Sequence, residues 1–363
     1  MRILITGGSG FLGARLAREL LSQPSVALAG GAPQTIEQLW LTDLVPPPAD
    51  LAAHAHVHAF TGDLLNLLES GSLALAGIDA VVHLAAAVSG DCERDLDLGL
   101  RSNLDTTRAL LQAARAAGHA PLFVYASSVA VFGGVPGQPM PDVITDDTLP
   151  APQGSYGIQK FVGEQLVADF GRRGLVRARN VRLMTVAIRP GRPNGAASGF
   201  LSGMVREPLA GQRATVPVSA ETAVALASPA NTIAGLMAAL TTGAEAWGPR
   251  TALNLPALST TVGDIAAALG RVAGPAALDL LDWQPDERIA AIVGAWPSRF
   301  HAARAHGLGL LPDASVDALV DQYVTEHRAA ITLPSLPSAP RPRPPSSGSC
   351  PPARFRTRPS GSS

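Results

Sequence analysis

Three glycines near the start of the chain constrain the fold most. Gly7, Gly10 and Gly13 lie between an apolar run, Ile3-Leu4-Ile5, and a stretch whose apolar residues Phe11, Leu12, Leu16, Leu20 and Leu21 recur at helical spacing. A short continuous apolar run is the pattern of a strand buried on both faces of a parallel sheet, so the glycines occupy a strand-to-helix turn. Glycine there permits a tight turn, close approach of backbone to a pyrophosphate and close packing of helix on strand, while free amides at the helix N-terminus face the anion. A tight turn without a ligand would satisfy the same sterics. The strand before and the helix after favour the dinucleotide reading.

The same alternation continues along the chain. Leu39 to Asp43 predicts a second strand ending in an acid, Val57 to Phe60 a third followed by Gly62-Asp63-Leu64, and Ile78 to Ala86 a fourth. Leu98 to Ala117 carries helical periodicity with Asn103 inside it, and Leu122 to Ser128 predicts a strand ending in two hydroxyls. A helix from Ser155 to about Phe170 and a strand from Arg182 to Ile188 come next. Strands alternating with helices predict an α/β fold built on a doubly wound parallel sheet, with ligands at the carboxyl ends of the strands. We divide the chain into a Rossmann domain, 1–185, a smaller interleaved C-terminal substrate region, 186–330, and a tail, 331–363, rich in Pro, Ser and Arg. The tail lacks the apolar content needed to offset its ordering entropy and reads as disordered.

Composition narrows the partners. A net charge of −1 gives no long-range attraction for nucleic acid or acidic membranes, so a small molecule is the default ligand. No run of eighteen apolar residues exists and the N-terminus enters a strand directly, the pattern of a cytoplasmic protein with no membrane segment. Two distant cysteines, Cys92 and Cys350, support neither a disulfide framework nor a metal site.

The chemistry centres on Tyr156 and Lys160, four apart on one helix face. A phenol with its ordinary pKa of about 10 is a poor base at neutral pH, and a nearby ammonium favours the phenolate. Such pairs are common on exposed helices. This one follows a dinucleotide turn and a Ser-Ser strand end, and Lys160 is the only lysine among 28 basic residues. A compact ammonium is not interchangeable with a guanidinium. Asp43, at the end of the second strand, suits an adenosine ribose and would repel a 2′-phosphate, favouring NAD; a surface-loop role is the alternative. His83 ends an apolar run without a carboxylate partner in spacing and reads as a core histidine.

Thr6-Gly-Gly-Ser-Gly-Phe-Leu-Gly13, Asp63-Leu64, His83-Leu-Ala-Ala86, Ser127-Ser128 and Tyr156-Gly-Ile-Gln-Lys160 resemble the extended short-chain dehydrogenase/reductase superfamily from Met1 to about Ala330. The resemblance implies that Gly7, Gly10 and Gly13 bind the pyrophosphate of NAD, Asp43 its adenosine ribose and Asp63-Leu64 the adenine. It also implies cofactor contacts at Phe11, Leu12, Leu84, Ala85 and Asn103. Ser128 matches the catalytic hydroxyl, Tyr156 the acid/base, and Lys160 the residue that binds the nicotinamide ribose and lowers the tyrosine pKa. A homodimer through sheet-flanking helices is implied as well.

A closer resemblance, to the D-erythronate dehydrogenases, covers Gln153 to Lys160, Val186 to Asn194, Ala197 to Gly203, Arg206 to Leu209 and Val293 to Pro297. It implies oxidation of the C2 hydroxyl of a four-carbon sugar acid with NAD, with Tyr156 as the base. Ser127, Ser128, Arg189, Arg192 and Asn194 are the candidate substrate contacts, since arginine can hold a carboxylate through two hydrogen bonds. Phe132 departs from the tyrosine usual in extended members, and Met184 from the proline usual in the erythronate enzymes.

Two rival functions share these residues. A nucleotide-sugar 4-epimerase would use the same cofactor and tyrosine, but usually continues after the strand with an asparagine and a Gly-Pro loop where this chain has Thr185 and Arg189-Pro-Gly-Arg192. A non-catalytic NAD-sensing regulator typically loses the tyrosine or the lysine, and both are kept here.

Overall fold

The computed structural model describes residues 1–135, 137–191 and 195–333. The tail predicted for 331–363 therefore lies almost wholly outside the described residues. At the centre is a sheet of seven strands, β1 (Arg2–Thr6), β2 (Gln38–Asp43), β3 (Val57–Thr61), β4 (Ala80–His83), β5 (Leu122–Ser128), β6 (Arg177–Leu183) and β7 (Ala252–Asn254). Every neighbouring pair is parallel, in the order β7-β6-β5-β4-β1-β2-β3. The order reverses between β1 and β4. Carboxyl ends at such a switch point leave a crevice for a ligand.

β1 and β5 are apolar runs buried along almost their whole length, as strands covered on both faces must be. Helices α1 (Phe11–Ser22), α2 (Thr106–Ala116) and α3 (Ser155–Arg172) flank the sheet. One core, with Ile3, Leu16 and Leu41, lies under α1, and another, with Leu4, Phe123 and Leu110, lies under α2 and α3.

The strand predicted from Arg182 to Ile188 is displaced. β6 starts at Arg177 and ends at Leu183, and Thr185–Val186 belongs to a separate small sheet with Ala223–Ala227 and Leu258–Thr261. Charged residues hid the true start. Arg179 is buried, but its guanidinium donates to the carbonyls of Ala239 (2.7 Å) and Thr242 (2.5 Å) and lies 4.8 Å from the Trp247 ring centre. A third core, including Leu201, Val205, Leu226 and Ile265, forms under helix α4 (Gly199–Leu209). The chain then returns to the main layer, where the helix Pro229–Thr241 joins the first core and β7 extends the sheet. Residues 229–241 and 252–254 thus lie in the main sheet layer although they follow the small sheet's Thr185–Val186 in sequence. Among the described residues, no helix is long and apolar enough to cross a membrane.

Candidate active site

A cavity of about 700 Å³ runs along the carboxyl ends of β1, β2, β4 and β5. Its first wall is the glycine turn. Gly7 adopts φ +68°, and a Cβ there would meet the Ala85 nitrogen at 2.9 Å. A Cβ on Gly13 would stand 2.1 Å from the Gly7 carbonyl oxygen, so only glycine lets α1 pack this closely on the turn. The N-cap of α1, Gly10, offers no side-chain cap, leaving the first-turn amides open toward the cavity, where Phe11, Leu12 and Gly13 line the wall. That is the donor set a pyrophosphate requires.

Asp43 closes the turn from β2. Its Oδ2 accepts from the amides of Ser9 and Gly10, each at 3.1 Å, and its Oδ1 from Leu44 at 2.7 Å. Asp63 caps the short helix Leu64–Glu69 and accepts from Asn66 and from Arg101 Nη2, both at 3.0 Å. Leu64, Leu84 and Ala85 complete this end of the cavity. An adenosine moiety fits here: an acid at the β2 end, an apolar shelf, and uncapped amides between.

Asn103 is placed elsewhere. It is buried and absent from the cavity wall. Its side chain accepts from Ala87 N (2.9 Å) and donates to Gln159 Oε1 (2.8 Å), so it holds the loop after β4 from behind. His83 is a core residue. Thr107 spends its hydroxyl proton on the Asn103 carbonyl (2.7 Å), so His83 Nε2 must donate to Thr107 (2.9 Å) while Nδ1 accepts from Thr6 (2.6 Å). Burial pushes its pKa down to about 3, which removes it as a neutral-pH switch.

The far end carries the reactive groups. Tyr156 opens α3 and Lys160 follows one turn later, its Nζ 5.8 Å from the Tyr156 ring centre and donating to the Ala126 carbonyl of β5 at 2.9 Å. The Ser128 hydroxyl accepts from the Ala130 amide at 3.1 Å and hydrogen-bonds the Tyr156 phenol. Desolvation raises that phenol to about 12, opposed by the Ser128 hydrogen bond, and lowers Lys160 to about 8. Ser127 also lines the cavity, but its hydroxyl is bonded to Glu164, two turns beyond Tyr156. Phe132 turns into the core, where the Arg182 guanidinium lies 4.9 Å from its ring centre, and Met184 sits buried at the cavity edge after β6.

Arg189 reaches the same end. Its guanidinium makes no hydrogen bond or ion pair among the described residues, and burial and the neighbouring Arg206 both lower its pKa. A half-buried cation without such a partner, facing a cavity, is an anion site in physical terms. Arg192 and Asn194 lie outside the described residues. Three lining or supporting residues escaped the sequence reading: Glu164, which shares the helix face of Tyr156 and Lys160 and was legible by its spacing, and Ser202 and Arg206, whose roles depend on how α4 packs. Among the described residues, no group of His, Cys, Asp or Glu is arranged to hold a metal.

Known proteins share this plan. The model of the NAD dependent epimerase/dehydratase family matches residues 3–244. The chain is 45% identical to a D-erythronate dehydrogenase from Cupriavidus necator, over 90% of this chain and 98% of that protein. It is 38% identical to one from Haemophilus influenzae, over 89% and 99%. Among solved structures, a nucleoside-diphosphate-sugar epimerase from Agrobacterium tumefaciens matches at 37% identity with a TM-score of 0.79, covering 91% of this chain and 95% of that one.

Proposed function

Because this chain belongs to the NAD dependent epimerase/dehydratase family, we propose that it oxidises the C2 hydroxyl of a four-carbon sugar acid with NAD, turning D-erythronate into 2-keto-D-erythronate. The observation that carries the acid is Arg189, a cation without a partner among the described residues, at the same end of the cavity as the Tyr156 phenol. The two similar dehydrogenases supply the identity of that acid.

Bound NAD would supply the acceptor for the hydride of C2. The glycine turn and the amides of α1 hold its pyrophosphate, Asp43 its adenosine ribose, Asp63 and Leu64 its adenine, and Lys160 its nicotinamide ribose. Ser128 holds the substrate C2 oxygen and Tyr156 takes its proton. The Ser128 hydrogen bond and the Arg189 charge favour the phenolate against the desolvation that otherwise keeps the phenol protonated, and we assign the same role to the Lys160 ammonium, 5.8 Å from the ring centre. Arg189 grips the carboxylate and so fixes which carbon faces the tyrosine.

The test is NAD reduction with four-carbon sugar acids beside UDP-sugars. NADH should accumulate with the acids alone. Interconversion of UDP-sugars without net NADH, the behaviour of an epimerase, would overturn the reading.

Asp43→Ala should weaken NAD binding and narrow the preference for NAD over NADP, since the carboxylate that repels a 2′-phosphate is gone. Unchanged Kd values for both coenzymes would remove Asp43 from that role.

We extend the reading to a cytoplasmic homodimer. Leu96 and Leu100 are exposed on the segment that packs against α3, where Ile158 and Val162 are exposed too, and this is the apolar surface we assign to a second copy. A monomeric mass by sedimentation would exclude it.

A further inference from the structure

Helix α4 grips the main chain of Arg189 from both sides. Ser202 Oγ accepts from the Arg189 amide at 3.0 Å, and Arg206 Nη1 donates to the Arg189 carbonyl at 2.9 Å. Ser202 and Arg206 are four apart, so one helix face makes both contacts. With its backbone pinned, Arg189 keeps only its guanidinium free for the cavity.

Arg206 also lines the cavity, but its charge is balanced by an ion pair with Glu207, the two side chains being 11% and 17% exposed. Asp91, which also lines the cavity, is likewise paired with Arg94. The Lys160 ammonium donates to the Ala126 carbonyl and faces the Tyr156 ring. Among the described residues one cation, Arg189, therefore remains for the substrate.

We propose that Ser202 and Arg206 form a latch presenting Arg189 to the substrate carboxylate, and that Glu207 cancels the charge of Arg206 so that the site selects a monocarboxylate over a dianion. This rests on the sugar-acid reading of the site. The latch residues are positioning residues: they act through where Arg189 stands. Glu207 sets selectivity by subtraction, because a second uncompensated arginine would welcome a second negative charge at little cost.

The test is calorimetric binding of D-erythronate and of meso-tartrate, which has the same four carbons with a carboxylate at each end, to the NADH complex, together with steady-state kinetics. Arg206→Met and Ser202→Ala should raise the erythronate Kd and KM by about tenfold with kcat changed much less, and Arg206→Lys, which can still donate to the Arg189 carbonyl, should recover part of the loss. Glu207→Gln should shift the ratio of tartrate to erythronate affinity toward tartrate by about tenfold. Wild-type Kd values in the Arg206 and Ser202 variants would overturn the latch alone, and an unmoved affinity ratio in Glu207→Gln would overturn the selectivity assigned to Glu207. Failure of the unsubstituted protein to bind either acid would overturn the sugar-acid reading and the latch with it.

Discussion

Tyr156→Phe is expected to cut turnover by about a hundred- to ten-thousandfold while the protein stays folded, because the proposed mechanism gives the phenol oxygen the task of taking the C2 hydroxyl proton. The variant loses one oxygen from a ring packed between Ser128 and Lys160, so far-ultraviolet circular dichroism and NAD affinity should match the parent. Lys160→Ala should lose activity on a comparable scale. It removes the ammonium to which the proposed mechanism gives the task of favouring the phenolate, and it leaves the Ala126 carbonyl without its donor. The sign of the pH dependence comes from the two shifts. Burial holds the phenol up at about 12, so over the neutral range the phenolate is scarce and grows with pH. Burial holds Lys160 down at about 8, so its charge persists below that pH and fades above it. The kcat/KM for oxidation should therefore rise with pH through neutrality, by up to about tenfold per unit, and flatten above about pH 8. Near-normal turnover in either variant, or a rate that falls as pH rises from 6 to about 8, would contradict this assignment.

The second large effect is on stability. Glu164→Ala should lower the unfolding free energy by about 3–5 kcal/mol, the cost of leaving a buried arginine without its partner. Arg182 grips Glu164 with Nε at 2.8 Å and Nη2 at 2.7 Å, and the side chains are 8% and 1% exposed. The guanidinium has no ready substitute: Nη1 already reaches Asn254 at 3.3 Å, and its face lies over Phe132. The same change frees the Ser127 hydroxyl at the end of β5, one residue before Ser128, so kcat should fall as well. Breaking the solvent-exposed Arg271–Asp317 pair should move the denaturation midpoint far less, since water and salt screen exposed charges. Equal midpoint shifts for the two pairs would show that the buried network does not hold the site.

Much of this site was legible in the sequence because its parts are local. A glycine turn between an apolar strand and an amphipathic helix, an acid at a strand end, and a tyrosine and lysine four apart each declare themselves within a few residues. The structure brings Gly7, Gly10, Gly13, Asp43, Ser128, Tyr156, Lys160 and Arg189 to the wall of one cavity. What escaped depends on distant partners. The strand Arg177–Leu183 reads as polar until Arg179 and Arg182 meet Trp247, Glu164 and Asn254 from other elements. Three-residue β7 carries no periodicity at all, and only its register against β6 defines it. Asn103, a cofactor contact by resemblance, bonds Ala87 and Gln159 from a buried position, contacts that spacing in the sequence does not reveal. Arg206 lies in a stretch marked by resemblance but had no role there, because its meaning lies in its contact with the Arg189 carbonyl.

Hydride transfer from C2 to NAD tests the central claim most directly. D-Erythronate carrying deuterium at C2 should be incubated with the protein and NAD, and the coenzyme recovered for mass analysis. The expected result is reduced coenzyme heavier than natural NADH by the difference between deuterium and hydrogen, with 2-keto-D-erythronate formed in equal amount. Unlabelled NADH, or none while a UDP-sugar is epimerised under the same conditions, would contradict it.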